Sequence, residues 1–124
     1  MGISNWFRDS CPIKYKIKII SALTINNKKD VNKYKKYKYI SDIILFDGKG
    51  YEKSFGFDHK LLNNVPNKIK KMIAGNIKYN DVLEKFSKIA DIIDISGSLE
   101  TAGKKDISKI NVLLENVSKI KNEN

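Results

Sequence analysis

The sequence predicts a single α+β domain, built as a three-stranded antiparallel β-meander followed by three α-helices packed on one sheet face. Apolar residues alternate with polar ones over the first half of the chain, which indicates strands with one buried face. After Asp58 the apolar residues recur at helical spacing. Strands that all precede helices favour an α+β fold. The 124 residues suit one domain, residues 1–124, with irregular ends at 1–12 and 121–124.

Three strands are predicted, over residues 13–25, 34–46 and 51–57, with a loop at 26–30. Lysines alternate with isoleucines and a tyrosine in the first strand. Between the second and third strands, Asp47-Gly48-Lys49-Gly50 predicts a hairpin turn. The second strand carries apolar residues on both faces, so its register stays open. An all-parallel arrangement is disfavoured because strands of this length leave no room for crossover helices.

Three helices are predicted after the strands. The first follows Pro66 and ends at Gly75, and its short apolar stripe comprises Ile69, Met72 and Ile73. The second begins at Asn80 or Asp81 and ends before Gly97. A polar linker over residues 98–105 then leads to a last helix, which Asp106 caps and which runs to Ile120.

The composition favours a cytoplasmic location. The longest unbroken apolar run covers residues 43–46, far short of the roughly 20 residues that cross a bilayer. The first residues lack the basic and apolar stretches of a secretory signal. Cys11 is the single cysteine, so an intrachain disulfide is impossible and a reducing compartment is expected.

Positive charge is concentrated near the front of the chain. The formal charge is +10, and residues 14–38 hold nine lysines against Asp30, which gives +8 in that segment alone. The whole chain has one arginine, Arg8, so its basic side chains are almost all lysines. Base-specific reading of DNA relies mainly on arginine and is therefore disfavoured. An AT-rich genome would account for part of the lysine content but not for its clustering.

No catalytic residue, metal ligand or cofactor site is predicted. Cys11 and His59 could meet as a nucleophile pair, but no third group orients them, so both are interpreted as structural. Asp42 with Asp47-Gly48-Lys49 resembles the carboxylates and lysine of metal-dependent nucleases, yet turn chemistry explains it. Residues 97–105 resemble a phosphate-binding loop with the wrong spacing between the glycines.

The predicted function is that of a small non-enzymatic binding protein of the immunity or inhibitor type, docking an acidic protein partner through a Lys/Tyr-rich β-surface. A module that binds nucleic acid without sequence specificity is the alternative, and a merely solvated strand and a catalyst using His59 are further possibilities. The oligomeric state is left open. The predicted binding residues are Lys14, Lys16, Lys18, Lys28, Lys29, Lys33, Tyr34, Lys35, Lys36, Tyr37 and Lys38.

Overall fold

The computed structural model describes residues 17–48 and 57–122, and its centre is a four-stranded sheet in the order β1-β2-β3-β4. All three strand pairs in this sheet are parallel. The strands are β1 (Ile20–Ile25), β2 (Ile43–Gly48), β3 (Lys71–Ala74) and β4 (Ile92–Ile93). The α-helices are α1 (Lys28–Val31), α2 (Tyr34–Tyr37), α3 (Glu84–Ser87) and α4 (Ile107–Asn122). Two 3-10 helices (His59–Leu62 and Gly97–Leu99) and a small hairpin of β5 (Glu100–Thr101) and β6 (Lys104–Lys105) complete the described elements.

The predicted antiparallel meander is wrong, because β1 pairs with β2 in parallel and β2 with β3 likewise. Residues 26–42 connect β1 to β2, and a parallel crossover needs about a dozen residues or more. The prediction assigned most of this crossover to a strand over 34–46. Asp47 and Gly48 belong to β2 instead of a turn, whereas the rest of the predicted hairpin, 49–56, lies outside the described residues.

The crossover is helical because its buried residues have helical spacing. Val31 and Tyr34 are three positions apart, and each is only 2% and 6% exposed, respectively. The Asn27 side chain accepts a hydrogen bond from the Asp30 N–H at 3.1 Å and so caps α1. Lys33, Lys35 and Lys36, between and after the two buried positions, are exposed to solvent. The alternation of lysine and tyrosine over residues 33–38 therefore belongs to a helix and not to a strand.

The predicted first and second helices are also wrong over most of their length. Pro66 and Ile69 form a turn, closed by a hydrogen bond from the Ile69 N–H to the Pro66 carbonyl at 3.0 Å, and β3 follows it. The second predicted helix is reduced to α3, after which the chain enters β4. A short apolar run fits a buried strand as well as a helix, so periodicity could not separate them.

The last helix is confirmed. The Asp106 Oδ1 atom accepts the Ser108 N–H at 2.9 Å at the start of α4, whose Leu113 and Val117 pack against the core. The linker predicted before it is instead the β5-β6 hairpin, in which Ala102 (φ 52°) and Gly103 (φ 78°) form the turn. Among the described helices, none is long and apolar enough to cross a membrane.

One face of the parallel sheet carries the core. The side chains of Leu23, Ile25, Ile44, Phe46 and Ile73 alternate onto this face and are at most 7% exposed. Leu62, Val65, Leu83 and Phe86 of the following connections belong to the same core. The neighbouring positions, including Asp47, therefore point to the opposite face. Burial of one face thus orients Asp47 at the end of β2.

His59 packs beside this core and has no hydrogen-bond partner for one ring nitrogen. Its ring meets Phe57 and Phe86 edge-on, with ring centroids at 4.9 and 5.2 Å. The Nε2 atom is buried and has no hydrogen-bond acceptor or donor. Burial lowers the pKa of His59, and the positive charge of Lys85 lowers it further, while Asp58 opposes both. The ring is therefore held neutral, as the structural interpretation of His59 requires.

We expect acid to destabilise the fold through His59. The folded pKa is below 6.5, so the unfolded chain takes up the proton first, and stability is lost as the pH falls below about 6.5. The loss is about 1.4 kcal/mol for each unit by which folding lowers the pKa. Urea unfolding of the wild type and of His59→Leu between pH 5 and 7.5 measures it. A variant that shows the same pH dependence as the wild type would contradict this role.

Candidate active site

A cavity of about 630 Å³ opens at the carboxyl ends of β2, β3 and β4. Asp47 enters it from the end of β2, residues 74–78 from the end of β3, and residues 94 and 96–98 from the segment after β4. Parallel strands place their carboxyl ends on the same edge, which is where open α/β sheets and α/β barrels bind their ligands. The cavity is therefore the candidate active site.

Asp47 is the one lining carboxyl with a buried, unpartnered oxygen. Its Oδ1 atom is inaccessible to solvent and has no hydrogen-bond partner. Burial raises the pKa of Asp47, and the nearby negative charge of Asp94 raises it further, whereas a hydrogen bond with the Gly48 backbone lowers it. The Asp47 carboxyl thus holds its proton to a higher pH than an exposed aspartate would. A group with these properties can donate a proton to a bound molecule.

The segment after β3 exposes backbone in an unusual conformation. Gly75 and Asn76 both have positive φ, at 107° and 52°, directly after the buried Ala74. Positive φ values are typical of tight turns, and backbone N–H groups in turns can form concavities that bind anions. Ile77, 5% exposed, fixes the segment in the core, and Lys78 lines the cavity beside it. This side of the cavity offers donors and positive charge.

The segment after β4 forms the facing wall. The Ser98 Oγ atom accepts the Tyr79 N–H at 3.0 Å and joins this segment to the one that follows β3. Lys105 Nζ donates to the Ser96 carbonyl at 3.0 Å and holds the wall from behind. A Cβ atom added to Gly97 would meet nothing within 4 Å, so the backbone of Gly97 borders open space. A ligand in the cavity can therefore approach this backbone closely.

The predicted binding residues do not form a β-surface. Lys14 and Lys16 lie outside the described residues, and Lys18 precedes β1. The others lie on or beside α1 and α2, namely Lys28, Lys29, Lys33, Tyr34, Lys35, Lys36, Tyr37 and Lys38. Tyr34 is a core residue, so it cannot contact a partner, and Lys33 Nζ is 3.0 Å from Asp30 Oδ1. None of those described residues lines the cavity.

Sequence reasoning placed the cavity residues elsewhere. The sequence pattern places Asp47 in a hairpin turn, in preference to a metal-dependent nuclease site, and places Gly97 and Ser98 at the end of a helix and in a linker, in preference to a phosphate-binding loop. The sequence contains a usable signal, because Asp47, Gly75 and Asp94 each directly follow a short apolar run. In a parallel sheet, polar and glycine residues directly after buried strands meet at the ligand-binding edge. These residues indicate a binding site only when the apolar runs before them are recognised as parallel strands.

Replacing the Asp47 carboxylate with an amide should stabilise the fold. Because the folded pKa is raised above 3.8, ionisation of Asp47 destabilises the native state as the pH rises past that value. We expect Asp47→Asn to raise Tm at pH 7 by roughly 3 °C for each kcal/mol recovered. Thermal unfolding at pH 7 and at pH 4 tests this, since the difference should shrink in acid. A lower Tm for the variant at pH 7 would contradict the assignment.

Comparison with known proteins identifies a family. Residues 8–116 match the family model described as "N-(5'phosphoribosyl)anthranilate (PRA) isomerase". The chain is 30% identical over 112 residues to the N-(5'-phosphoribosyl)anthranilate isomerase of Petrotoga mobilis, and the match covers 86% of this chain. It is 34% identical over 99 residues to the enzyme of the same name from Bacillus mycoides, with 73% of this chain covered. No solved structure matches the chain.

The chain spans about half the length of these relatives, since the matches cover 54% of the Petrotoga protein and 47% of the Bacillus protein. The parallel sheet and the cavity at its carboxyl edge agree with the TIM-like α/β fold of the family. The matches also overturn the predicted non-enzymatic binding role, the acidic protein partner and the nucleic-acid alternative, because the family consists of isomerases that act on a small molecule. The chain belongs to the N-(5'-phosphoribosyl)anthranilate isomerase family.

Proposed function

We propose that this chain contributes the proton donor and the phosphate-binding wall of an active site that isomerises N-(5'-phosphoribosyl)anthranilate. The observation that carries the proposal is Asp47, a carboxyl with a raised pKa and an unpartnered oxygen at the carboxyl edge of a parallel sheet. The names of the relatives supply the substrate. The remaining residues of the cavity agree with the chemistry of that substrate.

Asp47 suits the proton transfer that an isomerase requires. An isomerisation that moves hydrogen between atoms of one molecule needs a side chain that gives up a proton and later regains it. Such a group works best when its pKa approaches the working pH, and burial together with Asp94 shifts the pKa of Asp47 in that direction. The unpartnered Oδ1 atom leaves the proton position free for the substrate.

The two walls of the cavity suit the phosphate group. Gly75 and Asn76 offer backbone in an anion-binding conformation, and Lys78 adds positive charge. Gly97 leaves the opposite backbone open to close approach. In α/β barrels, phosphate groups frequently bind at the loops that follow two adjacent strands at this edge. Binding the phosphate here would fix the ribose beside Asp47, which ends the neighbouring strand.

The net positive charge of the chain is consistent with an anionic substrate. A substrate with a phosphate and an anthranilate carboxylate is an anion, and a formal charge of +10 attracts anions over distances near the Debye length. The excess of lysine is thus compatible with a small anionic substrate and requires no acidic protein. We include a cytoplasmic location in the proposal, supported by Cys11 as the single cysteine.

Activity of Asp47→Asn tests the proton donor. We expect the variant to convert N-(5'-phosphoribosyl)anthranilate at least 100-fold more slowly than the wild type, because an amide cannot donate the proton. Turnover is measured chromatographically with the purified 124-residue chain. The Tm of Asp47→Asn, measured as described above, distinguishes loss of folding from loss of the proton donor.

Glu115→Gln serves as the matched control for this test. Glu115 is an exposed residue of α4 away from the cavity, and the same change from carboxylate to amide should leave kcat and KM unchanged. Equal turnover by the wild type and Asp47→Asn would remove Asp47 from the reaction. A wild-type chain that neither turns over nor binds this substrate would overturn the proposed function.

Gly97→Ala tests the phosphate-binding wall. The added methyl group meets no protein atom within 4 Å, so the fold should be retained. It would occupy space at the cavity, and we expect KM for the substrate to rise about tenfold, a loss near 1.4 kcal/mol. Inorganic phosphate should also inhibit the wild type more strongly than the variant. An unchanged KM together with unchanged phosphate inhibition would show that the phosphate binds elsewhere.

A further inference from the structure

The Lys105 side chain joins the two ends of the segment that follows β4. Its Nζ atom donates to the Ser96 carbonyl at 3.0 Å and to the Ser96 Oγ atom at 3.2 Å. The same atom donates to Glu100 Oε2 at 2.9 Å, in an ion pair. An ammonium group has three N–H donors, so all three are used within this one segment. Lys105 therefore holds Ser96 close to Glu100.

The segment depends on hydrogen bonds for its conformation, because packing contributes little to it. Ser96 and Gly97 are exposed, and a Cβ atom added to Gly97 would meet nothing within 4 Å. The 3-10 helix Gly97–Leu99 has three residues, and the Ser96 side chain does not cap it. Exposed segments with few buried contacts open at a low cost in free energy unless other interactions stabilise them. The contacts of Lys105 are interactions of this stabilising kind.

The far end of the segment is anchored to α4 independently of Lys105. Lys109, in the first turn of α4, donates from its Nζ atom to the Glu100 carbonyl at 2.7 Å. Lys105 extends this anchorage to the near end, because one atom of its side chain contacts both Glu100 and Ser96. Residues 97–99 lie between the two anchored ends, so their backbone is held on both sides.

The residues between these ends form the wall of the cavity. Gly97 and Ser98 line the cavity, whereas Lys105 does not. The Ser98 Oγ atom accepts the Tyr79 N–H at 3.0 Å, so a displaced Ser98 would also release the segment that follows β3. Lys105 therefore acts on a bound ligand through the position of the wall and not by direct contact.

We propose that Lys105 is a positioning residue, which keeps the backbone of Gly97 and Ser98 in place to bind a phosphate group. The inference deepens the proposed function and rests on it, because the phosphate is that of the proposed substrate. Without the Lys105 ammonium, Ser96 is released from Glu100, and the wall loses the preorganisation that favours binding. The effect is local, since a partly exposed ion pair contributes little to the free energy of unfolding.

Phosphate binding by Lys105→Met tests this role, with Lys104→Met as the matched control. Both variants lose one positive charge from β6, and within the described residues the Lys104 side chain makes no hydrogen bond or ion pair. We expect Lys105→Met to bind inorganic phosphate about tenfold more weakly than the wild type, because its wall is not preorganised. Lys104→Met should bind phosphate within about twofold of the wild type, since an exposed charge is screened. NMR titration of each purified chain measures these affinities.

Amide hydrogen exchange without phosphate tests the position of the wall directly. The Leu99 and Tyr79 N–H groups donate to Ser96 and Ser98, so their exchange should be about tenfold faster in Lys105→Met. Exchange at the protected amides of β2 and β3 should be unchanged. Equal acceleration in β2 and β3 would indicate a role in folding alone and would overturn the inference.

Glu100→Met separates positioning from charge. This variant removes a partner of Lys105 and makes the chain more positive, so charge alone would strengthen phosphate binding. Positioning predicts the opposite sign, with binding weakened about threefold because Lys105 is no longer fixed. Tighter binding by Glu100→Met, or equal affinities of Lys105→Met and Lys104→Met, would overturn the inference.

The wild type distinguishes failure of this inference from failure of the proposed function. A wild type that binds no inorganic phosphate would overturn the phosphate-binding wall and the role of Lys105 together. A wild type that binds phosphate no better than Lys105→Met would overturn the role of Lys105 alone. Because turnover is not measured, neither result depends on whether Asp47 transfers a proton.

Discussion

The shared direction of four strands is the constraint on which the rest of the structure depends. Because β1, β2, β3 and β4 all run the same way, the segments that follow them converge on one edge. Burial of one sheet face then decides which side chains reach that edge: Phe46 turns into the core, and its neighbour Asp47 turns out. The cavity is a consequence of these two facts, and its walls are simply the chain leaving β3 and β4.

The site is maintained against its own electrostatic cost. Asp47 at the end of β2 and Asp94 directly after β4 flank β3 at the same edge, and their mutual repulsion adds to the cost of burying the Asp47 carboxyl. The folded core provides the free energy that holds the two together, with Phe46 and Ile73 fully buried directly before this edge. The result is a carboxyl with a raised pKa, which holds its proton to a higher pH than an exposed aspartate does, and this property also suits a proton donor. Burial of Asp47 and its repulsion by Asp94 therefore destabilise the folded chain and also give the carboxyl the raised pKa that the proposed proton transfer uses.

Sequence patterns predicted correctly the element that is long and buries only one of its faces. The α4 helix was predictable because its stripe extends over three turns and Asp106 caps it. The parallel strands were not, because β3 and β4 have only four and two residues, too few for any period to emerge. Reading the lysine and tyrosine alternation of 33–38 as a strand then removed the crossover, and without a crossover a parallel sheet was excluded. Assigning this one segment to a strand thus led to an antiparallel sheet being predicted in place of the parallel one.

The location of the site was hidden for the same reason. Asp47-Gly48 is typical of a turn when a hairpin is assumed, yet in a parallel sheet it marks the ligand-binding edge. Charge was equally ambiguous, since a lysine cluster attracts an acidic protein, a nucleic acid or a small anion by the same Coulomb term. Only the position of the binding groups in the fold distinguishes an acidic protein, a nucleic acid and a small anion as the partner. The lysine cluster lies on α1 and α2, whereas Gly75 and Gly97 line the cavity at the strand ends. Under the proposed function, the total charge would attract the anionic substrate and the strand ends would bind it.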